Sequence, residues 1–254
     1  MKYLHNLVSH YYKNRDSSHG YSHVYDVYNI SMMITKKVNK KVNKKEKMII
    51  KTSALFHDAW DNKYVKEENE IIKIKKELKN DLKKINLNDK EIDDIYIIID
   101  NISFTKEYNL IKNNEKLELF DLTLLRDIVS DSDKITSLGK DGIERIVIYE
   151  LNINKIENKI ENKIENKIEN KIENKIENKI ENKIENIEFY IKKIKLLYET
   201  RIKHIMKNDY IKTEEGKKIA EKKFNEMKEI INNEKMLYNI VNNVLNNNMT
   251  VTHG

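Results

Sequence analysis

The sequence predicts an all-α protein. Proline is absent and glycine occurs only 5 times in 254 residues, so the turn signals that β-sandwiches and barrels require are scarce. Apolar residues recur at helical spacing, as in Ile191, Ile194 and Tyr198. Hydrophobic residues make up 39% of the chain and charged residues 35%. We therefore expect a single helical domain with an economical core and a heavily ionised surface, near the upper size limit of one compact domain.

The composition also excludes several kinds of site and location. Cysteine is absent, which excludes a disulfide framework, a thiolate zinc site and a cysteine nucleophile. No apolar run approaches the roughly 18 residues that a membrane helix needs, and the first residues lack the apolar core of a secretory signal. We expect an intracellular, cytoplasmic protein that does not contact a membrane.

Charge gives a weaker indication about partners. The net charge is +6, from 48 basic and 42 acidic residues. The basic residues are interleaved with acids rather than gathered in one patch, so nucleic acid is not an expected partner. No feature of the sequence indicates an oligomeric state.

Four regions follow one another along the chain. The region up to about residue 50 carries four of the seven histidines, and residues 46–150 alternate apolar stretches of helical spacing with polar breaks. Residues 155–186 repeat the tetrapeptide Lys-Ile-Glu-Asn, and normal complexity returns at Ile187. We assign residues 1–247 to the domain, with residues 155–186 as an insertion in it, and residues 248–254 to a tail.

The repeat has a periodicity that does not suit a packed helix. Isoleucine recurs every four residues from Ile156 to Ile184, and a helix turns by about 100° per residue, so each step overshoots a full turn by roughly 40°. Residues four apart are identical, which brings like charges together. A coiled coil needs a period near 3.5 or about 3.67. We predict a solvated, frayed helix that does not dock on the core.

The dipeptide His57-Asp58 is the first candidate for chemistry. The residues before it are apolar at helical spacing and contain no helix breaker. If the helix continues, Asp61 lies four residues after His57 on the same face. A His-Asp pair alone also fits a helix cap or a surface pair, so the interpretation depends on its companions.

Those companions are histidines upstream and aspartates downstream. His23 begins another apolar-periodic stretch, with His19 one helical turn earlier, and Asp131 and Asp133 lie far along the chain. Two imidazoles and two carboxylates suit a divalent transition metal. Such an ion would lower the pKa of a bound water and offset charge on a phosphoryl group.

Five segments extend this pattern in a fixed order: HGYSH at 19–23, LFHDAWDNK at 55–63, DNISF at 100–104, DSDKITSLGKDGIER at 131–145 and TEEGKKIA at 213–220. They match the motifs H-x-x-x-H, H-D-x-x-D-x-K, N-I/M-S-F, D-A-D-R-L-D-A-x-G-A-x-G-I-A-R and T-E-T-G-K-x-x-A. In this order the sequence resembles the HD-domain metal-dependent phosphohydrolases. It is closest to the bacterial branch that is similar to nucleoside triphosphate pyrophosphohydrolases. The resemblance covers residues 1–150 and 187–235, and the repeat stands where that family has a loop.

The resemblance implies an HD-type helical domain with four metal ligands. By position these are His23, His57, Asp58 and Asp133. Asp131 competes with Asp133 for the last place, and Asp133 is preferred because the residue before the Lys or Arg is the usual ligand in HD proteins. The implied cofactor is a divalent ion, with Mn²⁺ favoured and Mg²⁺, Co²⁺, Ni²⁺ or Fe²⁺ as alternatives.

The same resemblance implies roles in catalysis for four other residues. Asp61 would be an acid/base or water-orienting group. Lys63 and Lys134 would contact phosphate, and His19 would reach the substrate. The implied reaction is hydrolysis of a phosphate ester or anhydride in a small nucleotide, with conversion of a (deoxy)nucleoside triphosphate to the monophosphate and pyrophosphate as the reaction of the nearest branch.

Two alternatives remain. The same site could serve nucleoside monophosphates or cyclic and oligomeric nucleotides, because fold does not fix substrate. Asp26 and Thr136 depart from residues that are frequent in the family, which leaves specificity open. The other alternative is a decayed HD domain that acts as a helical interaction module.

Overall fold

The structure is a computed structural model that describes residues 2–250 apart from residues 14, 17, 39–41, 116, 118, 166–176 and 208. Most of the described residues are helical and none is in a strand, which confirms the all-α prediction. None of the helices in the described part is long and apolar enough to cross a membrane.

Internal contacts divide the chain, treated above as one domain, into two compact units. The first consists of Met1–Thr136 and Ile205–Lys222, and the second of Ser137–His204 and Lys223–Gly254. In the described residues, the first unit contains α1 (Lys2–Tyr11), α2 (Tyr21–Lys37), α3 (Lys44–Phe56), α4 (Glu68–Lys83), α5 (Asp89–Ile99), α6 (Phe104–Lys112) and α7 (Thr123–Ile135), the last preceded by a 3₁₀ turn at Phe120–Leu122.

Helix α3 forms the centre of the first unit. Its N-terminus is fixed by a capping box, in which the Asn43 side chain accepts backbone N–H groups while Glu46 accepts the Asn43 N–H. The final residues, 52–56, are all buried. Helices α2, α5 and α7 pack against α3. The predicted His-Asp pair therefore follows directly on the buried C-terminal end of this central helix.

The second unit contains α8 (Gly139–Glu165), α9 (Glu177–Leu197) and α12 (Glu234–Thr250), with a π-helical turn at Tyr198–Ile202. Helices α10 (Lys203–Lys207) and α11 (Glu214–Asn232) contribute residues to both units. Helix α12 packs on α8 and α9, around a core that includes Ile143, Val147, Ile187 and Ile194. Gly139 has φ +74°, a conformation that suits glycine.

Helices α8 and α9 both extend into the tetrapeptide repeat. The described parts of the repeat, residues 155–165 and 177–186, are helical, as predicted. Residues 166–176 lie outside the described residues. The predicted tail begins inside α12, which continues to Thr250, and residues 251–254 lie outside the described part.

Candidate metal centre

The His-Asp pair lies where helix α3 ends. His57 donates from ring Nδ1 to the carbonyl oxygen of Ala54, at 2.9 Å. In a continuing helix, the Ala54 carbonyl would accept the backbone N–H of Asp58. That N–H instead donates to the hydroxyl of Tyr12, at 3.2 Å. The expectation that the helix runs on and places Asp61 on the face of His57 is therefore wrong, because α3 ends at Phe56.

The bond to Ala54 leaves the other ring nitrogen of His57 facing His23. The two Nε2 atoms lie 3.0 Å apart, and the rings meet edge to face with centroids 4.9 Å apart. His23 comes from the first turn of α2, and both imidazoles are buried. The first turn of α2 and the residue that follows α3 thus present one nitrogen each to the same point.

Two carboxylates complete this group. Asp58 Oδ2 lies 3.3 Å from His57 Nε2 and 3.5 Å from His23 Nε2. Asp133 Oδ1, near the end of α7, lies 3.4 Å from His23 Nε2 and 3.7 Å from His57 Nε2. The structure therefore brings together all four residues that the sequence proposes as ligands. We call His23, His57, Asp58 and Asp133 the His-Asp cluster.

The electrostatics of the cluster favour a cation. Burial alone lowers the pKa of His57, but the carboxylates of Asp58 and Asp133 outweigh it and raise this pKa to about 9. Burial raises the pKa of both carboxyl groups, yet the two histidines hold each pKa well below its ordinary value. Two ionised carboxylates facing two ring nitrogens form a site in which positive charge is stabilised.

The donor set fits a divalent transition metal. His23, His57 and Asp58 each offer a ligand atom within 4.8 Å of the others. Imidazole nitrogen and carboxylate oxygen are ligands that Mn²⁺, Fe²⁺, Co²⁺ and Ni²⁺ accept. A metal-ligating histidine usually donates its other N–H to a carbonyl or carboxylate, as His57 donates to Ala54.

Asp131, the other candidate for the fourth ligand, has a different set of partners. Its carboxylate accepts the backbone N–H of Lys212 at 2.9 Å, and the N–H and hydroxyl of Thr213 at 2.7 and 2.6 Å. Burial raises the pKa of Asp131 to about 6 even though these bonds lower it. A Cβ at Gly216 would lie 2.7 Å from its Oδ2. Of the two aspartates, Asp133 is the one that faces the histidines.

Three of the predicted catalytic residues lie close together on two loops. Lys63 Nζ lies 3.4 Å from Nε2 of His19, whose ring is 6.0 Å from that of His23. Asp61 Oδ1 accepts the backbone N–H of Lys63 at 2.8 Å, and it therefore shapes the turn that carries this lysine. The structure thus places His19 beside the His-Asp cluster and Lys63 beside His19.

Lys134 does not have the setting of the predicted phosphate contact. Its Nζ lies 2.6 Å from Glu107 Oε2 and 2.5 Å from the hydroxyl of Ser130, and the residue is buried. Successive residues of a helix differ in direction by about 100°, so Lys134 and its neighbour Asp133 point to different surroundings. Lys134 forms a buried ion pair between α6 and α7, and its role as a phosphate contact stays a prediction.

Sequence reasoning missed the residues that hold the loop after α3. Arg15 Nη2 donates to the carbonyl oxygens of Asp58 and Ala59, at 3.4 and 3.1 Å, and its guanidinium lies 4.1 Å from the ring of Tyr64. The available signal was that Arg15 is one of few arginines in a lysine-rich chain.

Trp60 anchors the same loop from the other side. It is buried, and its Nε1 donates to Asp100 at 2.8 Å. Lys75 Nζ lies 2.8 Å from the Asp100 carboxylate and 4.8 Å from the Trp60 ring. The loop that carries Asp58 is therefore tied to α4 and to the end of α5.

Comparisons with known proteins give a fold and no family. No family model matches the sequence, and no curated protein matches it. Several solved structures are similar, three of them along almost the whole chain. A Lactobacillus plantarum structural genomics target has 18% identity and a TM-score of 0.56, covering 91% of this chain and 92% of that one. The Lin1889 protein of Listeria innocua has 20% identity and a TM-score of 0.53, over 90% and 89%.

The third is Bacillus subtilis YpgQ, which was crystallised in complex with ADP. It has 16% identity and a TM-score of 0.56, covering 91% of this chain and 93% of that chain. At such identities these likenesses show that the chain shares its helical fold with all three proteins.

Proposed function

We propose that this protein is a metal-dependent phosphohydrolase of the HD type that acts on a nucleotide. The observation that carries the proposal is the meeting of the His23 and His57 Nε2 atoms, 3.0 Å apart, with carboxylate oxygens of Asp58 and Asp133 within 3.7 Å. These are the residues that the HD resemblance assigns as ligands.

The four residues of the His-Asp cluster would hold the ion. A divalent ion bound there supplies a Lewis acid that lowers the pKa of water and offsets phosphoryl charge. Contacts within the chain position these donors, since His57 is bonded to Ala54 and Asp58 to Tyr12. Such preorganisation lowers the cost of reaching the reactive geometry.

The neighbouring loops would bind the substrate. Lys63 is exposed and carries a positive charge beside His19, which suits an arriving phosphate group. Asp61, half-buried in the same turn, is proposed to orient water or to accept its proton. The ADP bound to the similar protein YpgQ supports a nucleotide as the substrate class.

The bond that is cleaved follows from the resemblance alone. Attack at the α-phosphorus of a (deoxy)nucleoside triphosphate would give the monophosphate and pyrophosphate. Chromatography of the products distinguishes this reaction, because release of inorganic phosphate would exclude it and would favour a monophosphatase or a stepwise reaction.

The test is hydrolysis of a nucleotide panel with added Mn²⁺. The wild type should be active, and His57→Ala should lose activity while its helical circular dichroism is retained. His10→Ala removes an exposed histidine outside the cluster and serves as the matched control. A fully active His57→Ala protein would contradict the proposal.

A further inference from the structure

A chain of hydrogen bonds leads from Asp16 to the substrate side of the candidate site. Asp16 Oδ1 accepts the backbone N–H of Ser18 at 2.9 Å and also its hydroxyl. The oxygen of that hydroxyl lies 2.8 Å from Nδ1 of His19. On the far side of the ring, Nε2 of His19 lies 3.4 Å from Lys63 Nζ. Ser18 and His19 are buried, whereas Lys63 is exposed.

The protons of this chain can be assigned. A serine hydroxyl has one proton to donate and accepts with its lone pairs. A carboxylate only accepts and is the stronger acceptor, so the Ser18 proton is directed to Asp16. The hydroxyl oxygen then accepts from His19, which requires a proton on Nδ1. In the neutral ring Nε2 consequently carries the lone pair, and it accepts from the ammonium group of Lys63.

The start of the chain is itself fixed by its neighbours. The other Asp16 oxygen accepts the hydroxyl of Tyr64, one residue beyond Lys63. The Tyr64 ring lies under the guanidinium of Arg15, 4.1 Å from its centroid. Burial raises the pKa of Asp16, but bonds from Ser18 and Tyr64 outweigh it and lower this pKa, so the carboxylate is ionised. The same aspartate thus contacts both loops that bear His19 and Lys63.

We propose that Asp16 and Ser18 are positioning residues that fix the Nδ1–H tautomer of His19 and so direct its Nε2 lone pair at Lys63, which is held ready for a phosphate group. The second half of this statement rests on the proposed function. With the opposite tautomer, an N–H of His19 would face an N–H of Lys63, and the two donors would repel each other. Loss of the Ser18 hydroxyl should therefore release Lys63 without touching the His-Asp cluster.

The tautomer can be read directly from metal-free protein. We would label the histidines with ¹⁵N, record long-range ¹H–¹⁵N correlations of the ring nitrogens, and assign His19 by comparison with His19→Gln. In the wild type, Nδ1 should resonate as a protonated nitrogen and Nε2 as an unprotonated one. Ser18→Ala should change this pattern towards the Nε2–H tautomer, and Ser18→Thr should retain it.

Ser9→Ala removes an exposed serine hydroxyl and should leave the His19 signals unchanged. A wild-type His19 protonated at Nε2 would overturn the proposal, whether or not the variants fold. An unchanged His19 pattern in Ser18→Ala would also overturn it.

The functional consequence is measured with ADP as the probe, by calorimetry on the Mn²⁺-loaded protein. Ser18→Ala should weaken ADP binding roughly tenfold, as expected for losing one hydrogen bond of the site, and Ser18→Thr should restore it. Mn²⁺ affinity should be the same in both variants. Equal ADP affinity in wild type and Ser18→Ala would overturn the link to Lys63.

Failure of the proposed function can be distinguished from failure of the tautomer assignment. If the wild type neither binds ADP nor hydrolyses nucleotides, the phosphate role fails with it. The tautomer assignment is still decided by the nitrogen spectra alone.

Discussion

His57 donates from Nδ1 to the carbonyl oxygen of Ala54, three residues earlier, at 2.9 Å. In a continuing helix this carbonyl would accept the backbone N–H of Asp58. The bond from His57 also orients the ring so that its Nε2 atom faces His23. One side chain thus bonds a carbonyl at the helix end and presents a candidate ligand atom. The backbone N–H of Asp58, freed from the helix, depends on Tyr12 for its partner.

Removal of that partner gives a first prediction. Tyr12→Phe keeps the buried ring but leaves the Asp58 N–H without its hydroxyl. The free energy of unfolding should fall by about 1–3 kcal/mol. Mn²⁺ affinity should fall roughly tenfold, as for other groups that support a metal ligand. Urea unfolding and calorimetry measure the two effects, and Tyr238→Phe, at an exposed tyrosine, is the control. Unchanged Mn²⁺ affinity would show that Tyr12 does not position Asp58.

The two aspartates of α7 should respond differently to the same substitution. Asp133→Asn removes a charge that faces His23 and His57, so Mn²⁺ binding should be lost while thermal stability stays close to that of the wild type. Asp131→Asn places an amide against N–H donors of Lys212 and Thr213, so unfolding free energy should fall by about 1–3 kcal/mol with Mn²⁺ binding retained. The opposite pair of results would make Asp131 the ligand.

The ion pair of Glu107 and Lys134 predicts a stability effect rather than a substrate effect. Lys134→Met removes the 2.6 Å contact of the buried Glu107 carboxylate. The longer contacts to Arg126 and Lys212, at 3.5 and 3.8 Å, remain. Breaking a buried pair from one side should cost about 3 kcal/mol of unfolding free energy. The double variant Glu107→Leu/Lys134→Met should recover part of this loss. A raised KM for nucleotide with unchanged stability would instead support Lys134 as a phosphate contact.

The tetrapeptide repeat should be dispensable. Isoleucine recurs every four residues in the repeat, so its apolar side chains wind around a helix instead of forming one face for packing. The repeat also contains equal numbers of lysine and glutamate. Core residues that the structure describes in α8 and α9, such as Val147 and Ile187, flank it. Replacing residues 155–186 by a short Gly/Ser bridge should change the unfolding free energy by less than about 1 kcal/mol and preserve Mn²⁺ binding and hydrolysis. A loss of several kcal/mol or of metal would show that the repeat packs on the protein.

The sequence predicts local features well and distant partners poorly. The helical class follows from missing prolines and regular spacing. The four members of the His-Asp cluster follow from the resemblance to HD proteins, which rests on the ordered motifs. The end of α3 at Phe56 does not follow from local sequence, because the backbone N–H of Asp58 just beyond it is bonded to Tyr12, 46 residues earlier. The burial of Lys134 depends in the same way on Glu107, on another helix. Such contacts are created by tertiary packing and leave no periodicity in the sequence.

The central claim is that the His-Asp cluster binds a divalent metal, and metal analysis of the purified protein tests it most directly. Protein prepared without chelator should contain about one divalent transition-metal ion per chain, as expected for a two-histidine, two-carboxylate donor set. His57→Ala, folded by circular dichroism, should contain none. A metal-free wild type that also fails to bind added Mn²⁺, or an equal metal content in His57→Ala, would contradict the account.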